Sequence, residues 1–312
     1  MKYILFLLLS LTLSPVCAQR VTPRLHLVKG ETYYMKSTGT SAITQSIHGR
    51  ENKINVALAF NIAFKVTGIA DTVYNMDVTY QNIDMKIHMA DTTIDMNSAK
   101  KNISGEKTGK ADTASMLVAA VTGRIFRIAL SAKGKVLRVE NLDNIITEIF
   151  KDFPQIDPAK KEQIKSKFIQ SFGESAFKGR LEMGTAIFPN KTVSKNDRWT
   201  TNTTISVPAK AGVQTNYQLM DITGDFLQIH GDGVISNDKE AKSEEINGMP
   251  VKYNVTGGMT TDIKIDKKTG WITQLNLKQL IEGDIEIMDN PKMPGGMTIP
   301  LMVTADVFIT DN

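Results

Sequence analysis

The sequence predicts a mainly β protein: one large curved antiparallel sheet or half-barrel, built from two related halves or as one unit, with one packed helical hairpin. Three observations carry that expectation. Ile54, Val56, Leu58, Phe60, Ile62, Phe64 and Val66 occupy every second position of one stretch, the mark of a strand with one apolar face. The same alternation returns in segments that end in glycine turns, as in antiparallel hairpins. One stretch changes rhythm to spacings of three and four, as an amphipathic helix does.

In chain order, residues 1–18 read as a secretory signal peptide. Lys2 supplies the positive start, Ile4 to Leu13 an apolar run, and Val16-Cys17-Ala18 a small-residue cleavage site before Gln19. The run is shorter than the ~20 residues that span a bilayer. The expected location is therefore periplasmic or extracellular, with lipid anchoring through Cys17 as the lesser alternative, because Val16 stands where a small residue is wanted. Cys17 is the single cysteine of the chain, so no disulfide is expected. A chain of this length buries enough apolar surface to fold without one.

The strand Ile54–Val66 would run about 40 Å at ~3.3 Å per residue, so its sheet must be large and twisted. Its other face, Asn55, Ala57, Ala59, Asn61 and Ala63, is small. Ile83, Met85, Ile87 and Met89 form the next apolar row. Phe126, Ile128 and Leu130 lead into Ala132-Lys133-Gly134-Lys135, and Val136 to Val139 return. Leu142, Ile145, Ile146, Ile149, Phe150 and Phe153 mark a first helix. Asp157-Pro158 reads as an N-cap with proline in the first turn; Ile164, Phe168, Ile169 and Phe172 line a second helix. The helical hairpin thus spans about 142–173. Met259, Thr261, Ile263 and Ile265 approach Lys267-Lys268-Thr269-Gly270, and Trp271, Thr273, Leu275 and Leu277 return. Ile299 to Ile309 is a last alternating strand.

Two halves are expected, 19–190 and 191–312, or one continuous domain. Lys29-Gly30-Glu31-Thr32-Tyr33 echoes Lys195-Asn196-Asp197-Arg198-Trp199, and the hairpin at Gly134 echoes the one at Gly270. Shared turn chemistry alone can produce such echoes.

Function is less explicit. Charges of both signs are interspersed, at 37 basic and 33 acidic residues, with no basic stripe for nucleic acid. The four histidines His26, His48, His88 and His230 lack metal-ligand spacing. No GxSxG elbow occurs, and two tryptophans leave little for a sugar platform. No catalytic residue, metal or cofactor is therefore expected. The acidic stretch Asn237 to Glu245 reads as an exposed hairpin loop. Asp71-Thr72-Val73, Asp91-Thr92-Thr93 and Asp112-Thr113-Ala114 fit a short O-glycosylation pattern of exported bacterial proteins. Fifteen methionines suit either core filling or a pliable apolar groove, with Pro291 to Met297 as its rim.

Several of these residues carry a family resemblance. The signal ending before Gln19, the Lys29–Tyr33 opening, Phe188-Pro189-Asn190-Lys191-Thr192-Val193-Ser194-Lys195-Asn196-Asp197-Arg198-Trp199 and Asp266-Lys267-Lys268-Thr269-Gly270-Trp271 resemble an uncharacterised family of secreted Bacteroidota proteins, a domain of unknown function. Asn196 stands where that family usually has glycine. The resemblance implies compartment and fold and transfers no active site. The sheet with its helical pair also resembles periplasmic half-barrels that carry lipid or lipoprotein, at the level of fold alone.

The leading expectation is a non-enzymatic binder of a lipid or other hydrophobic ligand on the concave apolar face. Its residues would be Phe60, Ile62, Phe64, Met85 and Met89, shielded by Phe150, Phe168 and Phe172. The alternative is a structural or interaction module of the cell envelope that binds protein or glycan through its loops. A cavity between sheet and helices of ~300 Å³ or more would favour the first, a filled core the second.

Overall fold

A computed structural model describes residues 19–99, 110–154, 156–205, 211–237, 243–246 and 248–311. The expected signal segment 1–18 and most of the acidic loop, residues 238–242, lie outside the described residues.

Alternation produces very long strands. The chain enters through β2 (Thr32–Ile47) and β3 (Arg50–Ala70), followed by β4 (Val73–Met89), short β5 (Thr92–Asn97), β6 (Ile125–Ser131) and β7 (Val136–Glu140). A helical stretch follows, and the chain returns through β9 (Arg198–Ile205), β10 (Ala211–Ile222), β11 (Phe226–Ser236), short β12 (Glu244–Ile246), β13 (Met249–Asp266), β14 (Ile272–Ile287) and β15 (Met297–Thr310). β1 (Arg20–Val21) and β8 (Val193–Ser194) pair with each other in a separate two-stranded ribbon. All the others form one 13-stranded sheet with the main path β7-β6-β4-β3-β2-β15-β14-β13-β11-β10-β9. Every pairing is antiparallel. β15 pairs with β2, so strands of 19–190 and 191–312 build one sheet, and its main path ends at β7 and β9.

Four helices occupy the gap and the inner face: α1 (Lys110–Val121), α2 (Leu142–Lys151), α3 (Pro158–Phe172) and α4 (Glu174–Thr185). The pair α2–α3 is the expected hairpin. Lys160 and Lys161 donate to the carbonyl of Asp157 at 3.0 and 2.9 Å, in the first turn of α3. Helices α1 and α4 are additional to it. α4 touches β7, β9 and β14, so it bridges the two ends of that path.

The core is one contiguous cluster on the inner face. At its centre Phe177 of α4 meets Phe64, Tyr80 and Phe126, with ring centroids 6.5, 6.2 and 4.9 Å away. Such tilted and edge-on pairs add to the burial of large apolar surface. In β4, Gln81 is an extra residue opposite the Asn61–Ile62 step, and this bulge moves the inward set from Tyr74, Met76, Val78 and Tyr80 to Ile83 and Met85.

The two echoing turns share more than composition. Gly30 and Asn196 both take left-handed backbone, at φ 92° and 71°. Gly30 donates to Val66 O (2.8 Å) while Val66 donates to Glu31 O (2.9 Å); Asn196 donates to Leu219 O (2.7 Å) while Leu219 donates to Asp197 O (3.0 Å). Asparagine tolerates the left-handed region that glycine occupies freely, so Asn196 can serve at its turn as Gly30 does at the other.

Candidate functional site

Among the described residues, the helices do not cover the inner face along its whole length. Cross-strand register stacks it in rungs: Leu275, Ile309, Ser37 and Phe60 form one, and Leu277, Val307, Gly39 and Leu58 the next. Between these rungs and α4 lies an apolar cavity of about 120 Å³, to which Tyr80, Phe177, Arg180, Leu181 and Met183 also contribute. Gly39 and Gly184 leave it open. A Cβ on Gly184 would press on Ile272 and Leu275, and one on Gly39 on Asp306 O and Val307. Further along β3, Val56 and Ile54 continue the same apolar row and stay half-exposed. Their neighbours Ile43 and Ile87 are also only partly buried against the core.

The polar side chains that line the cavity are Ser37, Tyr80 and Arg180. Tyr80 is 2% exposed, and burial pushes its phenol above the usual value while the positive charge of Arg180 pulls it back. Arg180 Nη1 also donates to Ser171 O at 2.7 Å. Among the described residues no carboxylate pairs with Arg180.

The residues named from sequence divide into three groups. Phe60 and Ile62 line the cavity. Phe64 is fully buried between Phe177 and Trp271, so it is core. Phe150, Phe168 and Phe172 pack on one another between α2 and α3 and do not line it. Met85 borders a different depression, and Met89 lies at the end of β4, half-exposed. Ser37, Gly39, Arg180 and Val307 were not named as site residues. Nothing local marks them, because the cavity arises where α4 meets strands from both halves.

The other depression is a shallow trough of about 700 Å³ on the outer face. Its floor is Thr38, Thr40, Ala57 and Ala59, and its flanks are Lys278, Asp306 and Phe308 on one side and Asp84, Lys86 and Asp95 on the other. Small side chains make the floor, as the composition of the second face of β3 suggests.

His230 lies between two carboxylates. Its Nδ1 lies 2.7 Å from Asp262 and its Nε2 3.4 Å from Asp232. The carboxylates flank opposite ring nitrogens, and among the described residues no three such groups could hold a metal ion. Thr72, Thr92 and Thr93 of the short Asp-Thr patterns are exposed at hairpin turns, while Thr113 lies in α1.

Residues 71–272 match a family of unknown function, DUF6263. None of the curated proteins matches the chain. Among solved structures it is similar to the COG4313 outer membrane channel of Pseudomonas putida F1, at 8% identity over 91% of this chain and 97% of that one, TM-score 0.25. OpdQ of Pseudomonas aeruginosa follows at 5% identity, 90% and 98% coverage and TM-score 0.16. Scores this low carry no argument about activity. Among the described residues no helix is long and apolar enough to cross a membrane.

Proposed function

The chain belongs to the DUF6263 family of unknown function, and from its geometry we propose a non-enzymatic, exported binder of a hydrophobic ligand. One observation supports this reading: the apolar cavity beneath α4 reaches Leu58, from which Val56 and Ile54 continue a row that the described residues leave half-exposed. The enclosed part, about 120 Å³, falls below the ~300 Å³ of ordinary ligand pockets. A whole lipid does not fit inside it. It is close to the ~150 Å³ of an apolar cavity that binds benzene, so it holds one segment of a ligand while the rest lies along the open row.

The test is native mass spectrometry of the protein purified from an exporting bacterial host, followed by organic extraction. The expected result is an adduct of defined mass, lost in Val307→Phe, which fills the cavity, with thermal unfolding unchanged. A bare polypeptide mass from several hosts, persisting after incubation with mixed lipid vesicles, overturns the reading. The outer trough would then favour the second reading, an envelope interaction module. Its small floor and mixed-charge flanks suit an extended glycan or peptide.

A further inference from the structure

We propose that the ligand is an anionic amphiphile of the fatty-acid type, with its carboxylate held by Arg180 and Tyr80 and its tail in the cavity beneath α4. The inference rests on the cavity reading above and assigns the head group.

The Tyr80 phenol and the Arg180 guanidinium both line the cavity. The phenol can donate its proton, and Arg180 has five N–H donors, one of which goes to Ser171 O. One cation and one hydroxyl therefore converge with unspent donors on a wall whose other residues are almost entirely apolar: Phe60, Ile62, Leu275, Leu277, Val307 and Ile309.

The charge balance selects the ligand class. Arg180 is partly exposed and lines an otherwise apolar cavity, and with no carboxylate partner among the described residues it is best matched by one negative charge. Arginine matches the planar fork of a carboxylate in a way that a point charge does not. A neutral hydrocarbon would make no use of those donors, whereas a carboxylate adds charge-assisted hydrogen bonds to the apolar contacts. The enclosed space admits on the order of six carbons, by comparison with the cavity that houses benzene. A longer chain leaves past Leu58 toward Val56 and Ile54.

The probe pair is decanoate and 1-decanol, equal in carbon number and differing in head group. Delipidated full-length protein is titrated calorimetrically with each, below the micellar range. Decanoate is expected to bind at least tenfold tighter than decanol. Arg180→Gln should bring decanoate down to the affinity of decanol and leave decanol unchanged; Arg180→Lys should retain part of the preference, and Tyr80→Phe should lose part of it. Circular dichroism melts identify any variant that fails to fold, and the wild-type comparison alone decides the question in that case. Equal affinities for acid and alcohol overturn the head-group assignment and leave the cavity reading standing. Absence of binding by both probes overturns the cavity reading and the assignment with it.

Discussion

Glu182 of α4 accepts the backbone N–H of Val136, on the free edge of β7, at 2.8 Å. A strand edge presents unpaired N–H and C=O groups that invite another chain. Here a helix side chain answers one of them, and across the seam the Lys135 ammonium caps the carbonyl of Asn202 on β9. Thr185 Oγ1 adds a bond to Gly134 O at 2.7 Å. The sheet therefore remains open in its hydrogen bonding while α4 closes it in packing. A groove of about 560 Å³ persists along that line, between Val136-Leu137 and Asn202 to Thr204.

Glu182 is 6% exposed, so removing it strands a buried N–H. Glu182→Ala is expected to destabilise the protein by about 1–3 kcal/mol and to raise its tendency to associate through β7. Glu182→Gln keeps an acceptor oxygen and should recover most of the loss. Urea denaturation and light scattering of the three proteins check both effects. Equal stability of the alanine and glutamine variants would mean that the bond to Val136 contributes nothing.

Phe60 and Phe64 sit four residues apart on one strand face and should respond differently. Phe64 is fully buried against Phe177 and Trp271, so Phe64→Ala should cost about 3–5 kcal/mol. Phe60 is half-buried, borders the cavity, and meets Tyr80 edge-on at 6.3 Å. Phe60→Ala should cost less than half as much and enlarge the ligand space. Denaturation midpoints separate core from site, and a larger loss at Phe60 would place it in the core.

Three glycines with similar left-handed backbone make a controlled comparison. Gly134, Gly270 and Gly49 have φ of 74°, 69° and 75°. A Cβ at Gly134 would collide with the Thr185 backbone and one at Gly270 with the Arg24 backbone, whereas one at Gly49 meets nothing. Gly49→Ala should thus cost only the backbone strain, about 1 kcal/mol. Gly134→Ala and Gly270→Ala must also push a packed segment away and should lose several kcal/mol on the order of a disrupted core. Thermal melts of the three variants read the difference directly.

The same residues explain what could be read from the sequence. Parts of β3 and β13 to β15 (54–66, 259–265, 271–277 and 299–309) are legible because apolar residues recur there at every second position. β11 is not, because Gly231 and Gly233 take inward positions between Ile229 and Ile235. The Tyr217 ring occupies the space a side chain at Gly231 would need, so the glycine belongs to packing that is invisible locally. Gln81 hides the first half of β4 by changing its phase. α4 shows no stripe because Ala176, Phe177, Gly179, Leu181, Glu182 and Gly184 are buried on nearly all sides. The candidate site inherits that gap: Phe60 and Ile62 follow from alternation, but Arg180 rides on the helix that alternation could not reveal.

His230 gives the protein a pH-dependent contact on its outer face. Its hydrogen bond to Asp262 of β13 raises its pKa above 6.5, partly opposed by desolvation, and Asp232 of β11 adds to the rise. A raised folded-state pKa means that the stabilisation is complete below the unfolded value of ~6.5. It is lost as pH climbs through the folded value. The ring is partly solvated and both carboxylates are exposed, so the effect stays within the ~0–1 kcal/mol of surface pairs. His230→Gln should flatten the stability difference between pH 6 and pH 8 that the wild type shows. Urea midpoints at the two pH values, in low and high salt, test it: the wild-type difference should shrink in high salt. An unchanged pH slope in the variant would assign the dependence to other groups.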